Sequence, residues 1–78
     1  MGRITRAAAY VSIEEVKSRA KNDPRAWCRQ RWLIIYNALI EPRKAEEIAR
    51  HCGASKATVH DVISRYNRLG VAAVETVG

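Results

Sequence analysis

The stretch AEEIARHCGASKATVHDVISRYNRLG, Ala45 to Gly70, constrains this chain most, because a single glycine separates two runs of helical periodicity. Isolated helices below about 12–15 residues are marginal in water, so two such runs hold only by packing on each other and on a further helix. Gly53 supplies the turn between them, since glycine takes positive φ at no steric cost. Ala49 is the small residue where the two helices come closest, and Ile48 is the apolar anchor before the crossing. Beyond the turn, Ser55 reads as an N-cap for a helix reaching Leu69, with Gly70 as its left-handed C-terminal residue. Val59, Val62, Ile63 and Tyr66 recur at helical spacing and face the core.

The preceding sequence holds two more helices. In VSIEEV, Ser12 with Glu15 forms a capping box, and Val11 and Val16 are placed as a hydrophobic staple, so a first helix runs to about Asn22. In DPRAW, Asp23 reads as the N-cap and Pro24 as the first residue of a second helix running to about Ile40. Cys28, Trp32, Ile35 and Leu39 share one face of it, and Trp27, Ile34 and Ala38 form a second apolar row, so this helix is either covered on two sides or partly exposed for a partner. Pro42 ends it by biasing Glu41 away from the helical region, and a short helix follows from near Lys44 to Cys52.

The expected architecture is thus all-α: a four-helix, homeodomain-like or winged-helix-like domain over residues 11–70, with a helix-turn-helix at about 44–69. Residues 1–10 read as a flexible basic arm, and 71–78 as a short irregular or β-leaning tail or the start of a linker. A chain of 78 residues is at most one domain and leaves little room for an enzyme's cleft.

Fourteen Lys and Arg against eight Asp and Glu leave a net charge of +6, which favours polyanions. No run approaches the roughly 20 apolar residues that span a membrane, and a cytoplasmic protein, nucleoid-associated when bound to DNA, is expected. Cys28 and Cys52 sit within apolar helical patterns and read as buried free thiols. His51 and Cys52 are adjacent on a helix and point about 100° apart, and with His60 and Cys28 they form no C-x-x-C or H-x-x-x-H pair, so no metal site is expected. Nor is a catalytic residue, a cofactor or a small-molecule ligand.

A helix-turn-helix lays its second helix in the major groove of double-stranded DNA, and the polar side of the last helix suits that use. Ser55, Lys56, Ala57, His60, Asp61 and Ser64 fall where base edges are read. Lys56 can donate to guanine, Ala57 can touch a thymine methyl, and Asp61 can accept from cytosine or pair instead with Arg65 four residues on. Arg43, Lys44, Arg65 and Arg68 are assigned to phosphates, and Arg3 and Arg6 to an arm entering the minor groove. The plain alternative for each is a solvated helix face or surface charge. For Trp27, Trp32 and Tyr36, core packing is the ordinary role.

From Val11 to Glu75 the chain resembles the N-terminal DNA-binding domain of mariner-like insertion-sequence transposases of bacteria. The resemblance rests on a short capped first helix, a long helix rich in Arg and Trp, the helix-turn-helix, and an ending of Arg65, Tyr66, Asn67 and Gly70. It implies recognition of the terminal inverted repeats of a mobile element. In full-length relatives a ribonuclease-H-like domain with an acidic metal triad follows, and this chain is expected to lack it. Arg43 and Lys44 depart from the family pattern by standing where relatives often carry a Ser or Thr cap.

Two other roles are compatible with the same residues. A stand-alone transcriptional regulator would act as a homodimer reading a two-part site, with Trp27 and Ile34 as its interface. A helical protein-interaction module would bind its partner through the broad apolar second helix.

Overall fold

The computed structural model describes residues 7–8, 10–41 and 44–76. Five helices are present among them: α1 (Ile13–Asn22), α2 (Ala26–Ile40), α3 (Ala45–Cys52), α4 (Lys56–Leu69) and α5 (Val71–Glu75). There is no strand among the described residues, so the domain is all-helical and carries no wing there.

α1 begins as its sequence dictates, with Ser12 Oγ accepting the Glu15 backbone N–H at 3.2 Å. Val16 is fully buried, and Val11 packs partly against the same core. The Glu15 carboxylate does not complete the box but accepts from Arg19 Nε at 2.9 Å.

α2 starts later than the DPRAW motif suggests. Arg25, not Asp23, is the cap residue, and it is extended at φ −92° and ψ 115°. Asp23 caps the C-terminus of α1 and turns its carboxylate onto Arg25, accepting the backbone N–H at 2.8 Å and the guanidinium at 3.0 and 3.1 Å. The Arg25 side chain is further held by the Glu75 carbonyl and carboxylate, which keeps its backbone out of the helix. α2 ends as expected, with Glu41 extended at φ −153° and ψ 90°. Pro42 lies outside the described residues.

α2 is the central helix, covered on two sides. Cys28, Trp32, Ile34, Ile35 and Ala38 are all buried, so Ile34 belongs to the core and is not available as a dimer interface. Trp27 is half-buried, with the Arg25 and Arg31 guanidiniums 5.2 and 4.9 Å from its ring centroid.

The residues expected to form an irregular or β-leaning tail instead fold into α5. Gly70 makes the corner at φ 75° and ψ −152°, a positive φ but not the left-handed helical conformation expected of it. Its N–H closes α4 on the Tyr66 carbonyl, and its own carbonyl accepts from Ala73 to open α5. Val74 is buried against the core. The last carbonyls of α5 are capped from α2: Arg31 Nη1 donates to Val74 and Thr76 at 3.1 and 2.8 Å, and Arg25 Nη1 to Glu75 at 3.4 Å. Arg19 of α1 adds an ion pair to the Glu75 carboxylate at 3.2 Å. A helix this short is marginal alone, and these contacts at the α1–α2–α5 junction hold it.

Candidate nucleic-acid interface

The interface is built around the turn at Gly53. Gly53 adopts φ 67° and ψ 32°, and its N–H returns to the Ala49 carbonyl, which also accepts from Ala54 at 3.0 Å. This closure directs the chain out of α3 and into α4. Gln30 Nε2, on α2, reaches the Cys52 and Gly53 carbonyls at 3.4 and 3.5 Å, tying the turn to the central helix. Ala45, Ile48, Ala49 and Cys52 bury one face of α3, and Val59, Val62, Ile63 and Tyr66 bury one face of α4, so all six residues assigned to holding the motif are core or turn.

Ser55 caps α4, accepting the Thr58 N–H at 3.1 Å and donating its own hydroxyl to Thr58 Oγ1 at 2.9 Å. Its hydroxyl is therefore committed to the helix start. The other candidate readers, Lys56, Ala57, His60, Asp61 and Ser64, are exposed on α4. Ala57, Asp61, Ser64 and Arg68 recur at spacings of four, three and four and form the row opposite the buried face. Lys56, His60 and Asn67 line one edge of that row, while Thr58, Arg65 and Leu69 line the other.

Charge on this face is partly self-compensated. Arg65 Nε donates to Asp61 Oδ1 at 3.1 Å, the pairing that the i, i+4 spacing anticipates. Among the described residues, the side chains of Lys44, Arg50, Lys56 and Arg68, like those of Lys17 and Lys21 on α1, carry no ion-pair or hydrogen-bond partner and are exposed. Lys44 caps α3 with its backbone alone, no side chain serving the first turn, in agreement with the missing Ser or Thr. The arginines at the other end of the molecule, Arg19, Arg25, Arg29 and Arg31, are spent on carboxylates and carbonyls of α1, α5 and the α1–α2 junction. Arg3, Arg6 and Arg43 lie outside the described residues.

Two features of the surface escaped the sequence. Arg50, in the last turn of α3, adds an exposed cation beside Glu47 and His51 in an open cleft. Its position two residues after the buried Ile48, about 200° around the helix, was the available signal. Asn67 lies on the polar side of α4 yet binds the N-terminal segment: its Oδ1 accepts the Ala8 N–H at 2.7 Å, and its carbonyl accepts the Tyr10 hydroxyl. The Tyr10 ring also meets the Tyr66 ring edge-on at 5.3 Å. The expected flexible arm is therefore docked at Ala8 and Tyr10.

Burial pushes the Cys28 and Cys52 thiols up from their ordinary value, consistent with inert core cysteines. No helix among the described residues is long and apolar enough to cross a membrane.

A family model for the homeodomain-like domain matches residues 29–75, from within α2 to the end of α5. No curated protein and no solved structure matches the chain. The matched segment contains the Gly53 turn, the capped α4 and the buried faces just described, and the chain belongs to the homeodomain-like family of helix-turn-helix, DNA-binding domains.

Proposed function

We propose that α4 enters the major groove of double-stranded DNA and reads sequence there, and that the role served is transposase-type recognition of the terminal inverted repeats of a mobile element. The observation that carries the DNA reading is the outer side of α4, where Lys56, Ala57, His60 and Ser64 are exposed around a helix whose opposite face is wholly core. Lys56 and His60 offer donors to purine edges, Ala57 a methyl contact for thymine, and Ser64 either a donor or an acceptor. Ser55 acts by fixing the start of the helix, and Asp61 reaches a base only by leaving Arg65.

Arg43, Lys44, Arg65 and Arg68 serve phosphates, fixing register without reading sequence. Arg3 and Arg6 serve the minor groove. The order of helices and the Arg65, Tyr66, Asn67, Gly70 ending support the transposase role. The reading assigns no reaction to the residues of this chain, and it places the protein in the cytoplasm, on the nucleoid when bound.

Selection from a random duplex pool at fixed salt tests both levels. A recovered motif that matches the ends of an element flanking the gene supports the whole proposal. A motif absent from such ends overturns the transposase role and leaves sequence reading intact. Salt-sensitive retention with no motif overturns sequence reading as well.

A further inference from the structure

We infer that Asn67 is a positioning residue that couples the basic N-terminal segment to the DNA-reading helix. The inference rests on the proposed DNA reading. Asn67 shares an edge of α4 with Lys56 and His60, eleven and seven positions before it, which is three and two turns along the same side. At that edge its side-chain carbonyl takes the Ala8 N–H and its backbone carbonyl takes the Tyr10 hydroxyl, while Tyr10 packs edge-on against Tyr66. Ala7 packs against the core beside them. The backbone ahead of Ala7 therefore joins the fold at the edge of α4 that bears two of its proposed readers.

That placement matters because the joined segment carries charge. Arg3 and Arg6 stand four and one positions before Ala7, against no acidic residue in the first thirteen positions of the chain. A tethered cation acts at an effective concentration set by its tether, so a short, fixed attachment raises its concentration at the minor groove and the phosphates that flank it once α4 is bound. Losing the Ala8 bond moves the fixed hydrogen-bonded point back to Tyr10, whose bond goes to the Asn67 backbone carbonyl, so the tether lengthens and the arm's contribution falls. Asn67 reads no base in this account; it sets where the arm starts.

The experiment uses the full chain with Asn67→Ala, Arg3→Ala/Arg6→Ala and the triple variant, each titrated with the selected duplex and with a random duplex across salt concentrations. Each phosphate contact contributes about 0.9 to the slope of log affinity against log salt. Asn67→Ala is expected to lower the slope by about one contact's worth, about 0.9, on both duplexes, leaving the preference between them unchanged. The triple variant is expected to match the double, because the arm's charge has nothing left to couple.

Amide exchange at Ala8 checks the attachment separately: Asn67→Ala should speed it at least tenfold, and Asn67→Asp, which keeps the acceptor, should restore protection. Unchanged Ala8 exchange in Asn67→Ala overturns the inference. So does faster exchange with an unaltered salt slope, or a changed preference between duplexes. Failure of the parent to bind either duplex overturns the DNA reading and this inference together, whereas the preceding results overturn the inference alone.

Discussion

Asp61 and Arg65 face each other one turn apart on the exposed side of α4, with Arg65 Nε donating to Asp61 Oδ1 at 3.1 Å. An exposed i, i+4 pair of this kind stabilises a helix by only about 0.3–0.5 kcal/mol, so DNA can displace it. The pair nonetheless holds a cation proposed for phosphate away from free contact, and it sets a carboxylate beside a polyanion. Asp61→Asn is expected to raise affinity for every duplex several-fold and to steepen the salt slope by about one contact. Titration of a labelled random duplex at several salt concentrations measures it; an unchanged slope would show that Arg65 does not reach a phosphate.

The two glycines at the corners of the motif differ in what they require. Gly53 is left-handed helical with open space around its α-carbon, so Gly53→Ala costs about 1–2 kcal/mol of backbone energy and Gly53→Asn less. Gly70 combines φ 75° with ψ −152°, a region essentially closed to other residues. Gly70→Ala is expected to cost more than Gly53→Ala, toward about 3 kcal/mol, with partial loss of α5. Urea denaturation compares the two, and an equal or reversed order would contradict the assigned corner.

Tyr66 contributes through its ring and not its hydroxyl. The ring meets both Tyr10 and Trp32 edge-on, at 5.3 and 6.1 Å, whereas the hydroxyl oxygen is buried and makes no hydrogen bond of good geometry among the described residues, and burial raises its pKa. Tyr66→Phe is therefore expected to leave stability unchanged or raise it by about 1 kcal/mol, and Tyr66→Ala to lower it by about 3–5 kcal/mol. Thermal melts of the two variants distinguish the roles, and a large loss in Tyr66→Phe would reveal a bond made by the hydroxyl.

How much of this was legible in the sequence depends on the range of the interaction. Ser12, Ser55 and Gly53 act on neighbours within a few residues, and each does what its local pattern specifies. The apolar periodicity of α4 likewise located its buried face. The start of α2 was misplaced because Arg25 answers to Glu75, fifty positions away, as well as to Asp23. α5 was missed for the same reason: Val71–Glu75 is too short to signal a helix, and what stabilises it comes from Arg19, Arg25 and Arg31. At the interface, Asn67 stands in the sequence only as part of the Arg65, Tyr66, Asn67, Gly70 ending, and only the fold shows that Ala8 and Tyr10 bind it.

The junction of α1 and α2 should confer a defined acid sensitivity. The Arg25 guanidinium and backbone N–H beside Asp23 hold its carboxyl well below the ordinary carboxylate range. A carboxyl whose folded pKa is depressed contributes stability that is complete above its unfolded value of about 3.9 and is lost as pH falls toward the folded value. Urea midpoints of the parent and Asp23→Asn, compared from about pH 6 to about pH 2.5, are expected to differ most at the upper end and to converge on acidification. A gap that stays constant with pH would place the contribution of Asp23 elsewhere than in its charge.

The central claim is that the exposed residues of α4 read base sequence while the surrounding cations do not. The most direct measurement is the ratio of affinities for the selected duplex and a random one, at one salt concentration, for the parent, Lys56→Ala/His60→Ala and Arg68→Ala. The account predicts that the double variant loses most of the parent's ratio, about 1–3 kcal/mol for each reading contact removed, and that Arg68→Ala weakens both duplexes alike and keeps the ratio. A double variant that retained the parent's ratio would contradict the claim and place sequence reading on another surface of the domain.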